Sequence, residues 1–159
     1  MKNLKIEIKW AVIFIIMMLL WMLLEKLAGL HDVNIDKHEI YTNFVAIPAV
    51  AVYVFALLDK KKNFYGGNMS YMQGFKTGLI ITLIVTIISP LSQYIINTFI
   101  TPDYFSNITA FAVKEGKMSQ EEAENFFNLK SYILQGLVGA AVMGIITSAI
   151  VAFFTKSKS

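Results

Sequence analysis

Residues 131–155 carry no charged side chain, and from Gly136 onward every fourth one is small: Gly136, Ala140, Gly144, Ser148 and Ala152. An uncharged run this long exceeds the roughly 20 residues an α-helix needs to cross a bilayer core. Small residues at four-residue spacing form one line along a helix, and in lipid such a line lets a second backbone come close. A matching line runs through Gly74, Gly78, Thr82 and Thr86 to Pro90. Two membrane helices packed on each other are the first expectation, since consecutive antiparallel elements are usually neighbours. The other use of such a line is an interface with a second copy or a partner. A further row, Gly139, Met143 and Thr147, gives the last helix a second contact face.

The rest of the chain is consistent with that start. Of its 159 residues 56% are hydrophobic and the mean hydropathy is +0.58, values produced by long apolar runs and typical of integral membrane proteins. Spans are expected at about 9–28, 40–58, 77–100 and 131–154, within one membrane domain covering 1–159. Pro48 and Pro90 fall inside the second and third, where proline commonly marks a kink. Lysines ahead of an apolar run also fit a cleaved leader. However, Lys26-Leu27-Ala28 is not a small-x-small cleavage site, so the first span is expected to be retained.

Between the third and fourth spans lies the longest polar stretch, 101–130. Tyr104, Ile108, Phe111 and Ala112 recur there at helical spacing until Gly116 interrupts them. Ser119 followed by Glu122 reads as a capping box that starts a second short helix, with Ala123, Phe126, Phe127 and Lys130 along one face. Two short amphipathic helices suit a membrane surface. A turn is expected at Gly66-Gly67, leading into the third span.

Four spans place both termini on one side. That side holds Lys2, Lys5, Lys9, Lys60, Lys61, Lys62, Lys76, Lys156 and Lys158 against Glu7 and Asp59, a net +7. The other holds five lysines and nine acids, a net −4. The positive-inside rule then puts both termini in the cytoplasm and the 101–130 segment on the outer side.

Several chemistries are disfavoured. There is no cysteine, which removes thiolate catalysis and cysteine-bound metals. Every basic residue is lysine, so the planar arginine clamp for phosphate is missing. No catalytic residue, cofactor, metal or nucleic-acid partner is expected. Polar side chains inside the spans are the candidates for function. Glu25, Gln93, Asn97 and Gln135 form a possible polar cluster, with Glu25, Asn97 and Gln135 about one helical turn below the outer surface. A structural use, with Glu25 and Lys26 reaching the interface and the amides joining helices, is the favoured account of them. His31 and His38, with Asp32, Asp36 and Glu39, could ligate a divalent ion. Their spacing matches no zinc signature, and a solvated acidic loop is the expectation. Lys60-Lys61-Lys62 sets topology and faces lipid headgroups.

Glu25 through Gly29, Lys60-Lys61-Lys62 with Tyr65-Gly66-Gly67, the segment Ser70 to Gly78, and Thr101-Pro102-Asp103-Tyr104 together carry a resemblance. The chain resembles a family of small four-span bacterial membrane proteins, common in Bacteroidota and catalogued only as a domain of unknown function. That resemblance implies inner-membrane residence and transfers no catalytic residues. The expected architecture is an all-α, four-helix membrane bundle with both termini inside and short amphipathic helices between the third and fourth spans. The expected role is a non-enzymatic membrane protein that assembles with itself or with a partner in the bilayer. A small transporter or channel using the outer polar cluster is the alternative.

Overall fold

A computed structural model describes residues 4–157, and among them there is no strand. Lys2 and Lys158 of the charge count lie outside the described residues. The elements are α1 (Lys5–Leu27), α2 (Ile35–Tyr41), a 3-10 turn (Thr42–Val45), α3 (Ala46–Asn63), α4 (Tyr71–Ile95) continued by a π-helical segment (Ile96–Ile100), α5 (Tyr104–Lys114), α6 (Gln120–Phe126) and α7 (Leu129–Thr155). Four helical runs are long and apolar enough to cross a membrane: Lys5–Leu27, Ile35–Asn63, Tyr71–Ile100 and Leu129–Thr155. Only 11–22% of their most apolar windows is buried inside the protein. Such outward apolar faces, with Leu24, Ile47, Ile87 and Phe154 among them, need lipid rather than water around them.

The helix ends follow from local chemistry. Ser70 caps α4 in a reciprocal box with Gln73, so this helix begins six residues earlier than the apolar pattern suggests. Ser119 and Glu122 form the same box on α6, and the Asn128 side chain accepts from the Ser131 N–H at the start of α7. Pro48 sits in the first turn of α3, directly after the 3-10 turn, where a missing N–H costs little. The second span is therefore a jointed α2–3-10–α3 run. Pro90 stands inside α4, which passes into the π segment shortly beyond it.

The two small-residue lines meet each other. A β-carbon on Gly78 would lie 2.6 Å from Ser148 Cβ, and one on Gly74 would lie 3.3 Å from Ala152 Cβ. Hydroxyls stitch this interface at a depth where water cannot help. Tyr53 of α3 and Thr82 of α4 share a hydrogen bond of 2.8 Å, and Thr82 and Ser148 of α7 share a long one of 3.4 Å. Ser148 also donates to the Gly144 carbonyl at 2.6 Å, which satisfies it within its own helix. Ala11 of α1 completes the buried core with Tyr53, Ala56, Leu57, Ile81, Val85 and Val151.

Gly136 departs from the expectation. Nothing lies within 4 Å of the position its β-carbon would take, and Gly139 is equally open. The close approach covers only the half of α7 from Gly144 onward. On the other half, the continuation of α4 is the π segment, which packs against α1.

The end of the bundle that holds both termini is tied by polar bonds. Glu7 and Lys60, both buried, pair at 2.8 Å, and Lys60 lies 3.8 Å from the centre of the Phe64 ring. Lys9 and the Trp10 indole both donate to Asp59. Lys61 donates to the Thr155 carbonyl at 3.0 Å, closing the end of α7. Of the lysine triplet only Lys62 is exposed, so two of the three are used in folding rather than offered to headgroups.

Candidate functional site

At the opposite end, the site begins with how α1 stops. Gly29 takes φ +74°, the left-handed conformation that glycine adopts without penalty. Its N–H reaches the Lys26 carbonyl, and the Leu30 N–H reaches back to the Glu25 carbonyl at 3.0 Å. This is the Schellman arrangement, with Leu30 buried as its apolar anchor. The turn folds the chain back on itself and delivers His31 beside Glu25. Asn34 fixes the loop by donating to the Ala28 carbonyl, and α2 then presents His38 from the other side.

The result is a carboxylate between two imidazoles. Glu25 Oε2 lies 3.2 Å from His31 Nε2 and 3.4 Å from His38 Nε2. One candidate donor atom from each of the three residues falls within 4.8 Å of the others. The Trp21 indole, one turn back on α1, donates to the remaining oxygen, Oε1, at 2.5 Å. The Glu25 and His31 side chains are 2% and 5% exposed and that of His38 17%, so His38 is the side open to solvent. His31 Nδ1 is buried with no hydrogen-bond partner.

Aromatic rings and α5 cover the cluster. The Tyr104 ring centre lies 5.1 Å from that of His31 and 5.4 Å from that of His38. Its hydroxyl meets the Tyr132 hydroxyl of α7 at 3.3 Å. Burial, reinforced by Tyr132 and by the Glu25 charge, holds the Tyr104 phenol neutral well beyond the usual phenol range. Asn107 donates to the His31 carbonyl at 3.0 Å, anchoring α5 on the loop.

The expected polar cluster is therefore redistributed. No hydrogen bond joins Glu25 to Gln93, Asn97 or Gln135 among the described residues; the Asn97 amide donates to the Gln93 carbonyl of its own helix instead. Gln135 is exposed on the outer face of α7. Asp32, Asp36 and Glu39 are exposed, as a solvated loop requires, but the two histidines are not in it. Glu25 and the histidines were separate features in the sequence. The cue that joins them is the glycine just past the end of an apolar helix, which predicts a reversal four residues after Glu25.

The family model described as "Protein of unknown function (DUF4199)" matches residues 9–157, so the chain belongs to that family. Neither the curated proteins nor the solved structures contain a match.

Proposed function

We propose that this member of the DUF4199 family is a non-enzymatic multi-pass protein of a bacterial inner membrane that assembles with a second copy or a partner span. The observation that carries this reading is Gln135. Its carboxamide stands exposed on a membrane helix, one turn from half-buried Gly139 and beside Gly136, neither of which has a neighbour near its missing β-carbon. A carboxamide facing hydrocarbon lacks partners, and a neighbouring helix that hydrogen-bonds it is worth about 1 kcal/mol. Small residues beside it let that helix approach. Native mass measurement in mild detergent tests the assembly: Gln135→Leu with Gly139→Leu should reduce the assembled species while leaving the bundle folded. A wild-type particle that is strictly monomeric and partnerless would overturn it.

Both termini lie in the cytoplasm in this reading, on the strength of the lysine bias. The chain has no native cysteine, and Lys62 and Glu121 are both exposed. Single cysteines there should react with an impermeant maleimide from opposite sides, Lys62→Cys from within and Glu121→Cys from without. Labelling of both from outside would reverse the orientation.

A small-ion transporter is the second reading, favoured by one row of atoms. Thr86 Oγ1 and Asn97 Oδ1 are buried without partners and stand eleven residues apart on one face of α4 and its π continuation. Flux in liposomes that vanishes in Asn97→Leu would establish it, and equal flux in the variant would remove it.

A further inference from the structure

We propose that Glu25, His31 and His38 are the protein ligands of a divalent first-row transition metal, zinc foremost, bound at the end of the bundle away from the termini. The proposal needs only the single chain and stands apart from the assembly reading.

Distance is the first argument. A charged imidazole–carboxylate hydrogen bond is normally about 2.7–2.9 Å long. The two contacts here are 3.2 and 3.4 Å, long for that role. Zinc binds imidazole nitrogen and carboxylate oxygen at about 2.0–2.2 Å in a tetrahedron, which places neighbouring donors about 3.3–3.5 Å apart. Both contacts are near that edge length. Closing the third edge requires the imidazoles, whose donors lie within 4.8 Å, to approach by at most about 1.5 Å. His38, on the short helix α2 and the least buried of the three, is the ligand with room to move.

The donor set is the second argument. Two neutral imidazoles and a carboxylate leave a single negative charge in a site whose other neighbours are Trp21 and Tyr104. A dication there is reduced to a net charge of +1 without a further acid. Nitrogen donors favour zinc, iron, nickel or copper over calcium and magnesium, which require six or more oxygens. Trp21 acts behind the ligands: by donating to Oε1 it fixes the carboxylate and leaves Oε2 to the ion. Three protein ligands leave a fourth position for water, and it faces the more open His38 side. Bound there, the ion clamps the end of α1 to α2.

The test uses the full chain in detergent, purified without a histidine tag, stripped with chelator and titrated with zinc chloride or cobalt chloride. One equivalent should bind, and the cobalt form should show the strong visible bands of a four-coordinate site. Glu25→Gln, His31→Ala and His38→Ala should each weaken binding about 100-fold or more, and Trp21→Phe about 10-fold, at unchanged stoichiometry. His38→Ala is the safest variant because its side chain is the least buried of the three, and circular dichroism checks that each one is folded. Asp36→Asn and Glu39→Gln, which alter exposed acids on the same helix, should bind as the wild type does. Absence of binding by folded wild type would overturn the proposal. So would equal binding by His38→Ala, or binding that follows Asp36 and Glu39.

Discussion

Gly144 lies against Thr82 with no room for a side chain: a β-carbon there would stand 2.4 Å from Thr82 Cγ2 and 2.6 Å from Thr82 Oγ1. Thr82 cannot yield easily, because its hydroxyl is bonded to Tyr53 and donates to the Gly78 carbonyl. The packing of α4 on α7 is set by backbones in near contact, and Gly78 repeats it against Ser148.

Gly144→Ala should therefore cost about 1–3 kcal/mol, and Gly144→Leu more than that, by overpacking a site already at contact distance. Gly136→Ala, made in open space, should stay within about 0.5 kcal/mol of wild type. Thermal unfolding in detergent compares them. The bundle should fail before any association does; a well-folded Gly144→Leu protein that only loses its partner would show that the glycine serves assembly instead.

That contrast also shows what the sequence could reveal. Four-residue spacing identified Gly144, Ser148 and Ala152 as a packing line because a straight helix keeps such a line on one face. Periodicity cannot say where a neighbouring helix departs, so Gly136 looked the same as Gly144. The capping box at Ser70 and Gln73 was legible but masked by the aromatic, glycine-rich run around it. The Glu25–His31–His38 cluster depends on contacts made across a turn and from α2. Hydropathy assigns the carboxylate to a span and the histidines to a loop, and only the reversal at Gly29 brings them together.

At the terminal end, Glu7 and Lys60 are each less than 5% exposed and have each other as partner at 2.8 Å. Glu7→Gln alone should destabilise by about 3–5 kcal/mol, since it removes the carboxylate paired with a buried lysine. Glu7→Leu combined with Lys60→Met should recover most of that loss, because removing both charges also removes their desolvation cost. A double-mutant cycle on melting temperature measures the difference. If the single and double variants were equally unstable, the pair would matter for its packing rather than its charge.

Tyr104 sets an alkaline limit. Burial foremost, with Tyr132 and the Glu25 charge, raises its folded pKa above that of the unfolded chain, so the neutral form is the one folding favours. The associated stability is fully present below the unfolded phenol value of about 10 and declines as pH rises above it. Melting temperature should fall from about pH 10 upward, and Tyr104→Phe should flatten that fall. At neutral pH the variant should lose no more than about 1 kcal/mol, since the bond to Tyr132 is long at 3.3 Å. An unchanged alkaline slope would assign the effect to another group, Tyr65 being the next candidate outside the spans, raised by burial and by Glu7.

The turn at Gly29 should control the cluster from outside it. An L-residue at φ +74° costs about 1–2 kcal/mol, and a β-carbon there would also stand 2.7 Å from Val33 Cγ2. Val33 is 83% exposed and can swing away, so the backbone conformation is the larger part of the penalty. Gly29→Ala should consequently be worse than Gly29→Asn, since asparagine tolerates the left-handed region better. The damage should be local. The Leu30 N–H, bonded to the Glu25 carbonyl, and the Asn34 N–H, bonded to the Gly29 carbonyl, should lose hydrogen-exchange protection while the α4–α7 core keeps its own. Loss of protection throughout α4 and α7 would instead mean that the turn holds the whole bundle together, and that the far end is not an independently adjustable site.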